Sequence, residues 1–103
     1  MNISTIGIDI AKNVFQLHGV DNTGKAVLKK RMTRDKLGSY VVNIPECTII
    51  MESFGGANYW ARVFKRSSHT VKLISPQFVK PFVKTNKNDA NDAEAIVEAA
   101  SRS

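Results

Sequence analysis

Carboxylates are scarce in this chain. Nine aspartates and glutamates stand against fifteen lysines and arginines in 103 residues, a net charge of +6 at pH 7. That balance points to a polyanionic partner, nucleic acid above all, although many basic domains are merely soluble. Cysteine is almost missing. Cys47 is the single one, so no internal disulfide can form. It opens the apolar run CTIIM and reads as a small buried hydrophobe, in keeping with a reducing cytoplasm. No apolar run approaches the ~18 residues of a membrane span. MNISTIGIDIAK carries no basic leader ahead of a long apolar stretch, so neither a membrane nor an export signal is expected. Internal repeats, low-complexity tracts and linkers are absent as well. The length suits one small domain, and a hydrophobic content of 43% is enough for a core.

The apolar residues fall into readable periods. Ser4 to Ala11 alternates, with Ile6, Ile8 and Ile10 on one side and Gly7, Asp9 and Ala11 on the other, which predicts a strand. Val14 to Val20 predicts a second, DNTG (Asp21 to Gly24) a hairpin turn, and Lys25 to Met32 a third strand, polar on one side. Thr33 is placed to cap a helix in which Leu37, Tyr40, Val41 and Ile44 recur at helical spacing. CTIIM is wholly apolar and predicts an interior strand. Tyr59, Trp60, Val63 and Phe64 mark an amphipathic helix with Arg62, Lys65 and Arg66 outside. Thr70 to Ser75 predicts a fifth strand. Ser75 and Pro76 then open a short helical turn. A last helix starts near Asn88 and buries Ala93, Ile96, Val97 and Ala100. The order βββαβαβα predicts an α/β fold, a mixed five-stranded sheet with flanking helices, and is the element order of the ribonuclease H fold. The chain ends inside an apolar helix face, at EAASRS, which predicts a domain cut from a longer protein.

The few acids are placed unevenly. Asp9 stands in a strand between two isoleucines, where an unpaired carboxylate is costly; a water-exposed strand end explains it equally well. Glu52 directly follows CTIIM, at a strand end where ligand sites of α/β sheets gather, although a loop glutamate is the plainer reading. Asp89 and Asp92 stand three apart and share a helix face, and helix capping alone would account for them. In the expected fold the two central strand ends lie side by side. The four acids, from three segments, then form one cluster. Close like charges repel unless cations neutralise them. Hard oxygen ligands suit Mg²⁺ or Mn²⁺. Two such ions about 4 Å apart can activate a nucleophile and stabilise a leaving oxygen on a phosphodiester.

Cationic positions could hold the nucleic-acid backbone beside such a cluster. Lys12, Lys84, Lys87 and Arg62 are the candidates. The run KKR (Lys29 to Arg31), with Arg34 and Lys36, reads equally as a phosphate-contacting patch or as the lysine protection common on sheet edges. His18 and His69 are isolated, have no metal-ligand spacing, and are expected in strands or at the surface. Gly55 and Gly56 read as a helix-start turn, and at least one of Tyr59 and Trp60 as core.

Three strings resemble one family: GIDIAKNVFQLHGVD, MESFGGANYWAR and ISPQFVKPFVKTNKNDANDAEAIVEAASR. They are similar to the N-terminal domain of DEDD-type transposases of bacterial insertion sequences (the IS-one-ten family), to which Piv-type DNA invertases are related. KNDANDAEAI and GGANYWAR are the specific matches; GIDIAK alone is weak. The resemblance covers nearly the whole chain. It implies a RuvC-like domain of the ribonuclease H superfold, here residues 1–103 as the N-terminal fragment of a longer transposase. It puts the acidic tetrad on Asp9, Glu52, Asp89 and Asp92. It implies Mg²⁺-dependent (or Mn²⁺-dependent) cutting and joining of DNA during transposition, with two ions, in the bacterial cytoplasm at the nucleoid. Family members carry a C-terminal domain whose serine is thought to attack DNA, so no serine here takes that role. Some use a guide RNA from the element, which makes RNA a second implied partner, and the full-length protein is expected to be a homo-oligomer. Ser53, Phe54 and Asn58 stand where the family is expected to have Ala, Cys and His; none is in the tetrad.

Three other readings compete with a transposase catalytic domain. A stand-alone structure-selective nuclease of the junction-resolvase type would use the same acids. A non-catalytic nucleic-acid-binding remnant would not need them. An actin-like ATPase would use GIDIA as a phosphate loop, but such loops place Gly-Thr or Gly-Ser where this chain has Ala11 and Lys12.

Overall fold

The computed structural model describes residues 2–10, 13–83 and 89–102, with residues 89–91 described by backbone alone. Strands β1 (Thr5–Ile10), β2 (Val14–Val20) and β3 (Ala26–Thr33) form an antiparallel meander. Helix α1 (Arg34–Asn43) leads to β4 (Thr48–Glu52), α2 (Ala57–Arg66) and β5 (Thr70–Ile74). A one-turn helix α3 (Pro76–Val79), a 3-10 turn (Lys80–Phe82) and helix α4 (Asp89–Ser101) complete the described chain. The sheet order is β3-β2-β1-β4-β5, with β4 parallel to both β1 and β5. This is the mixed five-stranded sheet expected from the periodicity. The element ends shift by a residue: Thr33 and Glu52 belong to strands.

The meander closes on a side-chain-built turn. Asp21 Oδ1 accepts from the Thr23 amide (2.9 Å), the Thr23 hydroxyl (2.6 Å) and the Lys25 amide (3.0 Å). Gly24 takes φ +90°, a conformation that costs other residues energy. A register shift at Gly19/Val20 absorbs the mismatch beyond the turn. Thr33 does precede α1, in extended conformation, but its side chain makes no capping bond.

Strand alternation gives the sheet two buried faces. On one, Ile6, Ile8, Phe15, Leu17, Ile49 and Met51 pack against Leu37 and Val41 of α1 and Trp60, Ala61 and Phe64 of α2. Phe15 meets Trp60 edge-on, with ring centroids 5.1 Å apart. Ile50 faces the other way, into a second cluster with Val79 and with Ala95, Ile96 and Ala99 of α4. Ala95 and Ala99 widen the buried face of α4 beyond the stripe that helical spacing predicts, because α4 is covered on its flank by the 3-10 turn as well as by the sheet.

Gly7 sets how close α4 can come. A Cβ at this position would lie 2.6 Å from Val97 Cγ2 and 2.7 Å from the Ala93 carbonyl oxygen, distances that real Cβ atoms do not show. Helix backbone therefore rests directly on strand backbone at the centre of the sheet.

Both histidines are buried, His18 at 5% and His69 at 4% exposure; His18 lies in strand β2, as one of the two expected placements had it, and His69 just before β5, so neither is a surface residue. His69 follows Ser68, whose left-handed φ of 71° ends α2. Its Nδ1 lies 3.2 Å from the Cys47 amide, which can only donate, so Nε2 carries the proton and donates to the Val41 carbonyl at 2.7 Å. The ring thus ties the end of α1 to the start of β4. Cys47 is half-buried beside it, and burial pushes its thiol up to about 11.

Replacing Gly7 with alanine is expected to lower unfolding stability by about 1–3 kcal/mol, measured by chemical denaturation. Adding Val97→Ala removes the side-chain clash but not the carbonyl one, so the double variant should recover only in part. Full recovery would show that the carbonyl does not limit the approach. His69→Ala strands a half-buried amide and a buried carbonyl, and should cost about 1–3 kcal/mol; a loss below about 0.5 kcal/mol would rule out the tie.

Candidate metal centre

Strands β1 and β4 run side by side and in register, ending with Ile8 opposite Met51. One residue further, the same pairing sets Asp9 beside Glu52 at the carboxyl ends of both strands, where parallel neighbours are ~4.8 Å apart. Alternation decides which way they face. Asp9 shares the side of Gly7, beneath α4, and Glu52 shares the side of Ile50, also beneath α4. Both carboxylates are half-buried.

Helix α4 brings the third acid. Its residues 93 and 97 lie over Gly7, and its start points towards the strand ends that carry Asp9 and Glu52. Asp92 is half-buried there. Glu52 registers its presence: burial raises the Glu52 carboxyl above its ordinary value, and the Asp92 charge raises it further. Asp89 is the first residue of α4, one turn before Ala93; its side chain lies outside the described residues. Three of the four expected acids therefore come to one end of the sheet from three separate elements. They do not close into a ready-made cage. Among the described residues, no three His, Cys, Asp or Glu side chains converge tightly enough to hold a metal ion.

The donor set fits a hard divalent cation. All the groups are carboxylate oxygens, and the Glu52 carboxyl, raised first by burial and then by the Asp92 charge, shows that two of them feel one another. A cleft of about 430 Å³ opens next to Glu52, lined by Pro76, Gln77, Lys80 and Val83. Lys80 was not among the expected cationic positions. Its signal was in the sequence: Pro76 fixes the start of a turn directly after β5, so Lys80 comes round one turn later at the same sheet end.

Lys12, Lys84 and Lys87 lie outside the described residues. Arg62 is exposed on α2, which packs on the opposite face of the sheet from the acids. It does not join the acidic end. Trp60 is core and Tyr59 is half-exposed, with the Arg34 guanidinium 5.3 Å and 5.9 Å from the two ring centres.

The model of the IS110-type DEDD family, described as "Transposase", matches residues 6–103. Curated relatives agree. A probable family 20 transposase of Pseudomonas aeruginosa is 52% identical over 99% of this chain and 30% of its own length. The transposase for insertion sequence element IS1328 of Yersinia enterocolitica is 50% identical over 98% of this chain and 30% of its own. That for IS1111A of Coxiella burnetii is 50% identical over 98% and 28%. The chain thus spans about 30% of the length of these relatives. Among solved structures, T. thermophilus RuvC in complex with a Holliday junction substrate superposes with a TM-score of 0.67 at 13% identity, covering 97% of this chain and 93% of RuvC. That likeness establishes the ribonuclease H-like, RuvC-type fold. With a family match over all but its first five residues and relatives at half identity along its whole length, the chain belongs to the IS110-type DEDD transposases.

Proposed function

We propose that this chain is the catalytic domain, N-terminal in a longer transposase, that performs divalent-metal-dependent DNA strand cleavage and joining when an insertion sequence moves. The observation that carries this reading is the meeting of Glu52 and Asp92. Two acids forty residues apart share one half-buried sheet end, where burial and the neighbouring Asp92 charge both disfavour ionised Glu52, and a bound cation would offset both. Asp9, in register beside Glu52, and Asp89, at the head of α4, complete the ligand set. Two Mg²⁺ or Mn²⁺ ions, when bound, would supply charge neutralisation and Lewis acidity at a phosphodiester. The chain's own residues do the rest. The strand ends fix Asp9 and Glu52 rigidly, and α4 holds Asp92 against them. Lys80, together with Lys12, Lys84 and Lys87, draws the phosphate backbone to the acidic end. DNA is the proposed partner, with a guide RNA and a second protomer as further partners of the full-length protein, in the bacterial cytoplasm at the nucleoid.

Calorimetric titration of Mn²⁺ tests the ligand set. Asp9→Asn should weaken binding at least ~10-fold, or about 1.4 kcal/mol; equal affinity in variant and wild type would sink the metal site. Glu52 offers a second measurement, made without divalent ions. Its folded carboxyl titrates above its unfolded value, so in the folded state the ionised form is disfavoured. Stability is therefore lost as pH rises from the ordinary glutamate range through the raised value, and regained on acidification. Glu52→Gln should melt higher than wild type at pH 7, and the gap should close at acid pH. A variant that melts lower at pH 7 would contradict the crowding of charge at this end.

A further inference from the structure

The register of the meander divides the run Lys29-Lys30-Arg31 between the two faces of the sheet. Asp9 pairs with Gln16, and Gln16 pairs with Arg31. Gly7 pairs with His18, and His18 with Lys29. Directly opposed residues of antiparallel strands share a face. Asp9, Gln16 and Arg31 therefore form one row across the sheet, on the α4 side, and Gly7, His18 and Lys29 form the next. Lys30 points the other way. It pairs with Leu17 of the opposite core, and its ammonium sits 5.2 Å from the Tyr40 ring of α1. With Arg31 and Lys36 it lines a groove of about 660 Å³ against α1, so Arg31, on the edge strand, touches this groove as well.

Helix α4 packs mainly on β1 and β2, and Lys29 and Arg31 on β3 are exposed. Arg31 is two inter-strand spacings from Asp9, about 10 Å. Its guanidinium can grip a phosphate in two places at once. Gln16 lies between them with its amide already turned outward, donating to the Lys30 carbonyl at 3.1 Å.

We propose that Arg31 and Lys29 are phosphate-contacting residues that hold a nucleic-acid strand along the β3 edge and lead it across β2 to the acidic end. This rests on the proposed function for its destination, but the contact itself stands on charge and register. Lysines that merely guard a sheet edge would act on either face. A nucleic-acid track aimed at Asp9 uses one face alone, so neighbouring cations in the same run must behave differently.

The test uses a short fluorescein-labelled DNA duplex with a single-stranded tail, bound to this chain in EDTA and followed by anisotropy from about 50 to 200 mM salt. Lys29→Gln with Arg31→Gln should weaken binding about 10-fold or more and reduce the slope of log K against log salt by roughly 2, one per lost phosphate contact. Lys30→Gln with Lys36→Gln carries the same charge change on the other face, and its slope should stay within about 0.5 of wild type. Equal losses in both pairs, or no loss from Lys29 and Arg31, would overturn the inference. All four side chains are exposed, and melting curves check that each variant is folded. Mn²⁺ affinity without DNA is measured alongside. If Asp9→Asn fails to lower it, the metal reading falls while the slopes still decide this one.

Discussion

Helix α4 can lie flat on β1 because Gly7 has no side chain. With the Ala93 carbonyl and the Val97 methyl both within 2.7 Å of where a Cβ would stand, helix and strand are at the limit of approach. That depth has consequences at both ends of the helix. Towards its end, Ala95, Ile96 and Ala99 reach Ile50 and Val79 and seal the second core. Towards its start, Asp92 is lowered to the level of the strand ends, near enough for its charge to be felt at Glu52. A helix lifted by one methyl group would loosen the core and part the acids together. Packing and the proposed chemistry thus depend on one missing side chain.

The acidic end is where the fold is least at ease. Interior positions elsewhere obey polar satisfaction closely. His69 makes a bond at each ring nitrogen, and no buried side-chain donor or acceptor among the described residues lacks a partner. At the sheet's carboxyl end like charges are brought together instead, with Glu52 and Asp92 both half out of water. Local frustration of this kind costs stability, and it persists where the charge has a task. The same reasoning separates Asp21 from these acids. Its carboxyl is held below its ordinary value by the Thr23 hydroxyl and the Lys25 amide, so its job is finished within the turn.

Much of this could be read from the residues alone. Alternation in Thr5–Ile10 set the isoleucines against Gly7 and Asp9, and it is that alternation which puts Asp9 under α4. Glu52 was legible because CTIIM is too apolar to be anything but interior. The structure added what depends on three-dimensional neighbours. Ala95 and Ala99 look like solvent-side positions until the 3-10 turn is seen to cover them. The histidines look like polar strand residues until α4 and the α1 end close over them. The split of Lys29, Lys30 and Arg31 needs the pairing partners of β3, which follow from the turn at Asp21–Gly24 and the register shift beside it. Composition shows the charge, and only register shows its direction.

A tension remains between the whole chain and its acidic end, and it orders the proposed events. At +6 the chain attracts a polyanion over the ~8–10 Å within which salt leaves charges unscreened. Close in, the same polyanion meets three of the nine acids at one place. Long-range attraction and contact repulsion can coexist only if cations stand between phosphate and carboxylate. A nucleic-acid strand that approaches the bare end should therefore stop at the basic edge, held by residues such as Arg31 and Lys29. Divalent ions held at the proposed site would favour its advance to Asp9 and Glu52. On this reading the basic edge and the acidic end are not rival binding sites. They would be successive stations along one face of the sheet, with bound metal at the proposed site favouring passage from the first to the second.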